Sequence, residues 1–393
     1  MGLFSFHSKN NYIGVLDIGG DKVSASLAFI GPKDALPCVQ IKSTIHTPIV
    51  YGNPASLKRY LKSVGDGIDE VLSTTVKNQT IVPDQWFCFL PSILTNNKTI
   101  TLTYEDGKEF IVTTKMVQGM VAKHAKEWLD SNNTLYTDLP SDQNTLIESH
   151  ILAARLNGYE IQDYAKKKAT KLELDVYTSA GSNQILGMIK DKMGNYTHGR
   201  DVAFATSALA EYQTLGEIMP DEKDYLLIDP SGELCDVLFV ADGVLKNHVS
   251  FPLGKNILTR DNQIDNTGFS DRFSTLQLYA ENKLAKSEVA KVEQKLADLE
   301  QSWQKLFSHT LKHLAETGFI PTKVFILADD PLAKIFAMWI NKIGFEGYNL
   351  ARRPLTATLL TPATLAHFCD LSATKNEDLT LVFGALFARR FVQ

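Results

Sequence analysis

Two glycine-bearing turns constrain what this 393-residue chain can fold into more than any other feature. The first, Asp17-Ile18-Gly19-Gly20-Asp21-Lys22, joins the apolar runs Tyr12 to Leu16 and Val23 to Phe29, each of which reads as a β-strand. The second is Asp229-Pro230-Ser231-Gly232-Glu233, entered from Tyr225 to Ile228 and left through Val237 to Val240. The two segments align without a gap, so that Asp17 matches Asp229, Gly20 matches Gly232 and Asp21 matches Glu233. A hairpin with a special tip that returns far along the chain predicts two lobes built on one plan, their tips facing each other across a cleft. The length agrees, since a chain of this size exceeds what one hydrophobic core usually supports.

The turns suggest a chemistry. A tight turn between strands aims several backbone N–H groups at one point, and glycines such as Gly19 and Gly20 let a phosphate approach that backbone with no Cβ in the way. Asp17, at a strand end, is placed to hold magnesium through water, because that ion keeps much of its hydration shell and prefers hard oxygen ligands. Lys22 would reach a β-phosphate. With a second tip opposite, Asp17 and Asp229 form an acidic pair around the metal, and Asp236 lies near enough to orient water.

Composition narrows the class. The chain is 44% hydrophobic and 22% charged, as expected of a folded protein with a large core. A net charge of -5 offers no general field to gather phosphate backbones, which argues against nucleic acid as a partner. The basic run Lys166-Lys167-Lys168 reads as a solvated face. Cys38, Cys88, Cys235 and Cys369 stand far apart, without the spacing of a zinc site or a disulfide framework, which fits a reducing cytoplasm. No apolar run approaches the roughly 18 residues of a transmembrane helix.

Between the hairpins the texture changes. Trp86 to Leu90, Thr99 to Tyr104, Phe110 to Thr113, Leu146 to Leu156 and Leu172 to Thr178 read as strands, and Lys115 to Leu129 as an amphipathic helix. Residues 86–190 are therefore expected to form an inserted α+β subdomain, whose polar loop Asp130 to Gln143 is its expected mobile segment. The first lobe would comprise 1–85 and 191–222, the second 223–257 and 321–393, with a helical insertion over 258–320. In that insertion a long helical region runs from about Ser270 to Thr317, with Val289, Val292, Leu296, Leu299, Trp303 and Leu306 forming an apolar seam best covered by its own domain. Lys323 to Leu327 reads as a strand and Leu379 to Phe391 as a closing helix, with Leu386 and Phe387 buried in the lobe rather than touching a membrane.

Leu16 to Val23 resembles the phosphate-1 motif of the superfamily of actin, heat-shock chaperones and sugar kinases, and Ile228 to Val237 resembles its phosphate-2 motif. Val324 to Asp330 falls where that superfamily has its adenosine motif. Arg155-Leu156-Asn157-Gly158-Tyr159-Glu160 with Leu172 to Tyr177 is similar to the subdomain that PilM and FtsA proteins carry between their lobes, and Phe251-Pro252-Leu253-Gly254 to the segment that follows their phosphate 2. The resemblance implies an α/β, actin-like two-lobed ATPase fold with an inserted SHS2/1C-type subdomain. It implies ATP and magnesium as cofactors, held by Asp17, Gly19, Gly20, Asp21, Lys22, Asp229, Ser231, Gly232, Asp236, Ala328 and Asp329, with Asp17 and Asp229 at the metal.

The opening Met1 to Phe6 followed by Ile13 to Asp17 resembles PilM beginnings, and no separate amphipathic tail of the FtsA kind follows the closing helix. A PilM-like chain implies a scaffold on the cytoplasmic face of the bacterial inner membrane that docks a short cytoplasmic peptide of a PilN-like protein in type IV pilus assembly. The alternatives are an FtsA-like anchor of the tubulin-like division ring, able to self-associate into filaments, and, remotely, a small-molecule kinase. Departures from the superfamily pattern imply a weakened or degenerate ATP site. Pro230 removes an N–H donor, Glu233, Leu234 and Cys235 replace small residues, and Ala328-Asp329-Asp330-Pro331 stands where a glycine run is usual. Glu211 and Gln213 are candidates to position water, and Glu281 and Lys283 lie near where the superfamily contacts ribose and adenine.

Overall fold

The computed structural model describes residues 11–32, 35–49, 56–77, 81–131, 143–259, 269–327, 331–344, 353–374 and 378–392. The first strands and helix are β1 (Tyr12–Ile18), β2 (Lys22–Ile30), β3 (Val39–Pro48), α1 (Leu57–Lys77) and β4 (Gln85–Leu90). A short 3-10 turn, Ser92–Leu94, leads into β5 (Thr95–Ile111), α2 (Thr114–Ser131), β6 (Asn144–Leu156), β7 (Tyr159–Glu160) and β8 (Lys168–Ser182). The chain continues through α3 (Asn183–Gly194), β9 (Val202–Thr206), α4 (Ser207–Ile218), β10 (Tyr225–Asp229), β11 (Leu234–Ala241) and β12 (Val244–Pro252). Then follow α5 (Asn256–Thr259), α6 (Phe269–Ala280), α7 (Lys286–Leu314), β13 (Lys323–Leu327) and α8 (Ala333–Asn341). The last elements are β14 (Thr356–Leu360), α9 (Pro362–Leu365), β15 (Cys369–Asp370) and α10 (Leu379–Val392).

Three sheets result. The first runs β15-β3-β2-β1-β4-β9 and the second β12-β11-β10-β13-β14. Apart from β15 the two share one plan: an antiparallel meander whose first strand is also paired in parallel with a strand contributed later in the chain. Asp17 opposes Ser24 in the first hairpin and Asp229 opposes Asp236 in the second, the register that the ungapped alignment requires.

Strand alternation sorts these residues into layers. Ile13 and Val15 of β1, and Tyr225 and Leu227 of β10, enter one common core that α4 and α10 fill between the sheets. Leu16 and Ile18 face the other way, into a core with Tyr60, Val64 and Ile68 of α1 and Ile185 and Ile189 of α3. Leu226 and Ile228 face a third core, roofed by α7 and α8. Asp17 and Asp229 continue the inward sets, and their strands end there, so period two aims both carboxylates into the space between the lobes.

The third sheet, β5-β8-β6-β7, is the inserted subdomain. Helix α2 covers one face, with Val117 set among Leu172, Leu174 and Val176. Expected boundaries shift here. Trp86 to Leu90, assigned from sequence to the insertion, is instead a strand of the first sheet: every residue of β4 is buried and it pairs in parallel with β1, a place that suits a continuous apolar run. Helix α3 likewise joins the core of α1, so the insertion proper spans β5 to β8. The loop at 132–142, expected to be mobile, lies outside the described residues.

The expected long helical region consists of α6 and α7, and between them Asn282 adopts φ 56°. Val292, Leu296, Leu299, Trp303, Phe307, Leu311 and Leu314 of α7 are buried on its own lobe. Past Trp303 the buried position is Phe307, with Leu306 only partly covered, because a stripe with helical period drifts from strict heptad spacing. Leu386 and Phe387 of α10 are each 1% exposed, so burial of the closing helix is what the structure has. Among the described residues no helix is long and apolar enough to cross a membrane.

Trp303 is fully enclosed, stacked on Phe307 at 4.9 Å between ring centroids and flanked by Phe251, Phe336 and Trp339. Trp303→Ala should lower stability by about 3–5 kcal/mol, read as a shift of the urea midpoint at unchanged slope.

Candidate functional site between the lobes

The two turns touch. A Cβ built on Gly20 would stand 2.8 Å from the Ser231 carbonyl oxygen, and one built on Gly232 would stand 2.3 Å from the carbonyl of Gly20. Gly232 also has φ 63°, a conformation that side chains rarely adopt. Backbone thus meets backbone, which only glycine permits at both positions. Residues 253–256 wrap the second turn: the N–H of Lys255 donates to Pro230 O at 2.7 Å, that of Asn256 to Gly232 O at 3.0 Å, and those of Leu253 and Gly254 to Glu233 O, each at 3.0 Å. Ser231 folds onto Asp229, its N–H donating to Oδ1 at 3.1 Å and its hydroxyl to the same oxygen.

Side chains close the seam. Lys255 pairs with Asp21 at 2.7 Å, and Ser92 donates to both oxygens of Asp236 at 2.7 Å. Lys22, expected at a phosphate, is engaged with Asp378 at the start of α10, 2.8 Å away. Asp378 also accepts from Ser24 at 2.7 Å and from Thr380 at 2.8 Å, and Thr380 bridges to Asp17 Oδ2 at 2.8 Å.

The remaining cavity, about 40 Å³, is lined by Asp17, Gly19, Gly20, Asp21, Lys22, Asp229, Ser231 and Asp236 among the residues expected from sequence. Glu211 of α4 joins them, 4% exposed, as do Glu233, Lys255 and Thr380. Gln213 does not: it accepts from Arg390 on the far side of α4. Glu281 and Lys283 pair with each other at 2.7 Å and are not among the cavity-lining residues. Ala328 and Asp329 lie outside the described residues, although Leu327 just before them reaches the cavity. Asp378 and Thr380 were missed from sequence. An Asp two residues before a Thr at a helix start reads as an ordinary cap, and indeed Asp378 accepts from the N–H of Leu381 at 3.4 Å; nothing local tells that it holds Lys22.

Burial and crowding set the protonation. Asp17 is pushed up to about 8, first by burial and then by the neighbouring charge of Asp378. Burial lifts Asp229 to about 7 and holds Glu211 well above the carboxylate range, with Asp229 and Asp236 adding to the effect on Glu211. Burial also works on Asp236 and Asp378, but for them it is outweighed. The His248 ring 3.6 Å away, with hydrogen bonds from Ser250 and Ser92, lowers Asp236, and the Lys22 ammonium lowers Asp378. Asp17 and Asp229, expected from sequence at a metal, face one space; among the described residues no group of three His, Cys, Asp or Glu is arranged to hold a metal ion. The enclosed part of this cavity has room for ordered water.

No family model and no curated protein sequence matches the chain. Solved structures do. Two matching lobes of this topology, with their strand tips meeting at an acidic cleft, define an actin-like ATPase fold. A chain of a structure described as a PilM-PilN type IV pilus biogenesis complex is similar over 97% of this chain and 98% of its own, with TM-score 0.63 and 10% identity. A Bacteroides thetaiotaomicron protein described as having an actin-like ATPase fold and unknown function shows 10% identity and TM-score 0.41, over 89% of this chain and 91% of its own. The ethanolamine utilization protein EutJ from Carboxydothermus hydrogenoformans shows 8% identity and TM-score 0.38, over 96% and 89%. The fold read from the two turns and the insertion is therefore the fold observed.

The raised Asp17 fixes a sign for pH dependence. Unfolded, this carboxyl titrates near 3.8; folded, near 8, so between the two the folded state holds the extra proton and its contribution to stability is lost as pH rises. Asp17→Asn keeps an acceptor for Thr380 but cannot titrate. Relative to the parent, it should gain on the order of 1 kcal/mol or more between pH 5 and pH 8.5 in urea melts.

Proposed function

We propose that this chain is a PilM-like scaffold, recruited to the cytoplasmic face of the bacterial inner membrane, where it docks a short cytoplasmic peptide of a PilN-like membrane protein in type IV pilus assembly. The observation that carries the reading is the likeness in fold to the PilM-PilN structure over nearly the whole of both chains, at TM-score 0.63. The chain's four-stranded inserted sheet is the element on which we place docking.

Nucleotide has a reduced role in this reading. Lys22 is tied to Asp378, Pro230 lacks an N–H, Glu233 lines the cavity beside Asp229 and Asp236, and the cavity is about 40 Å³. To admit a triphosphate, the lobes would have to part, Lys22 leave Asp378, and at least three acidic side chains tolerate a polyanion. All three oppose binding.

Two measurements check the proposal. Magnesium ATP at about 1 mM should stabilise the protein by less than about 0.5 kcal/mol in thermal melts, which corresponds to a dissociation constant no tighter than about 1 mM. Sub-micromolar binding with steady turnover would reject the degenerate site. A fluorescent peptide copying the N-terminal cytoplasmic segment of the PilN-like protein of the same organism should bind in the micromolar range, on the order of 8 kcal/mol. No binding of that peptide, together with retrieval of division proteins from membranes, would overturn the pilus assignment.

A further inference from the structure

Strand β12 carries a polar stripe. His248 and Ser250, opposite Leu238 and Asp236 of β11, turn to one side of β12, and Lys246 stands beside them at the irregularity in the β11–β12 register. That side meets both the cleft and the root of the inserted sheet. The His248 side chain is 4% exposed; its Nε2 lies 3.6 Å from Asp236 Oδ1, and its Nδ1 lies 2.8 Å from Nδ2 and 3.1 Å from Oδ1 of Asn97 on β5. At 3.6 Å the first contact is an electrostatic one, longer than a hydrogen bond. Beside it, Lys246 Nζ stands 3.4 Å from Asp175 Oδ2 on β8. Asp175 is gripped by Arg155 of β6 through two bonds of 2.8 and 3.0 Å and by Thr101 of β5 at 2.6 Å.

The inserted subdomain is covalently part of the first lobe, entered after the Ser92 turn and left at Ser182. These side chains tie it to the second. The tie shares a member with the cleft, because Asp236 lines the cavity and is held there by Ser92, three residues before β5 begins. His248 keeps its hydrogen bond to Asn97 and its charge contact with Asp236 only while β11, β12 and β5 keep their spacing. Any separation of the lobes moves β12 relative to β5 and leaves buried polar groups without partners. The contact therefore favours two discrete arrangements, made or broken, over a graded one.

We propose that Asp236, His248 and Asn97, with Lys246 and Asp175 beside them, form a clamp that couples closure of the cleft to the orientation of the inserted subdomain. With the lobes together, the subdomain is held against β12; with them apart, it swings free. A partner that prefers one orientation biases the cleft, and a change at Asp236 biases the surface offered to the partner, by the same coupling. The inference rests on the fold and these contacts, and stands whether or not the partner is a pilus protein.

The test is a distance measurement. The four native cysteines are buried, so spin labels on Lys123→Cys of α2 and Lys291→Cys of α7, both at exposed positions, report the subdomain against the second lobe. The parent should show one narrow distribution. His248→Ala and Asp236→Asn should each broaden it, to roughly twice the width, and the double variant should add nothing further, since both cut the same chain of contacts. Lys342→Ala, which breaks only the exposed pair with Glu300, should leave it unchanged. Asn97→Ala cuts the same link from the inserted side and serves if His248→Ala does not fold, with a cooperative melt as the check. Distributions of parental width in folded His248→Ala or Asn97→Ala and in Asp236→Asn would overturn the clamp, as would additive effects of the single changes.

Discussion

The contact of Gly20 with Gly232 is the constraint on which the centre of this molecule depends. Two chain reversals approach to backbone distance, and a methyl group on either would stand within 2.8 Å of the other turn. Because the tips meet, Lys255 reaches Asp21 and Ser92 reaches Asp236 across the seam. The same approach narrows the space between the lobes to a small cavity and brings Asp17 and Asp229 into one environment. Each turn is simple taken alone; their apposition creates the site.

Charge balance follows from that closure. The cavity gathers Asp17, Asp21, Glu211, Asp229, Glu233 and Asp236, with Asp378 just behind it, against Lys22 and Lys255. So many carboxylates cannot all ionise in a dry interior, and the burden is divided by partner. Asp378, held by Lys22, and Asp236, held by Ser92 and His248, stay charged. Asp17, Asp229 and Glu211 retain protons that an exposed carboxyl would release. Lys22 lines the cavity while its ammonium is paired with a partner supplied by the far end of the chain.

Much of the fold was legible. The strands around both turns, β13, α2 and α10 lie close to where apolar periodicity and turn residues put them, and the ungapped match of the two hairpins foretold two sheets on one plan. The errors have local causes. Trp86 to Leu90 was grouped with the strands that follow it because a continuous apolar run carries no mark of the sheet it will join. The helical region over 270–317 carries no glycine or proline at the break between α6 and α7, where Asn282 takes positive φ. The apolar seam of α7 was placed on its own domain, as found, but with Leu306 where the structure buries Phe307.

The sequence by itself determined the repeat, the alternation that aims Asp17 and Asp229 inward, and the glycines that allow the tips to meet, because each is a property of residues adjacent in the chain. Only the tertiary structure decided that Asp378 and Thr380 belong to the site, that Glu211 rather than Gln213 faces the cavity, and that Lys22 is already engaged. Those outcomes hang on pairs far apart in sequence, Lys22 with Asp378 and Asp17 with Thr380, whose meeting is set by packing α10 against the first sheet and leaves no local pattern to read.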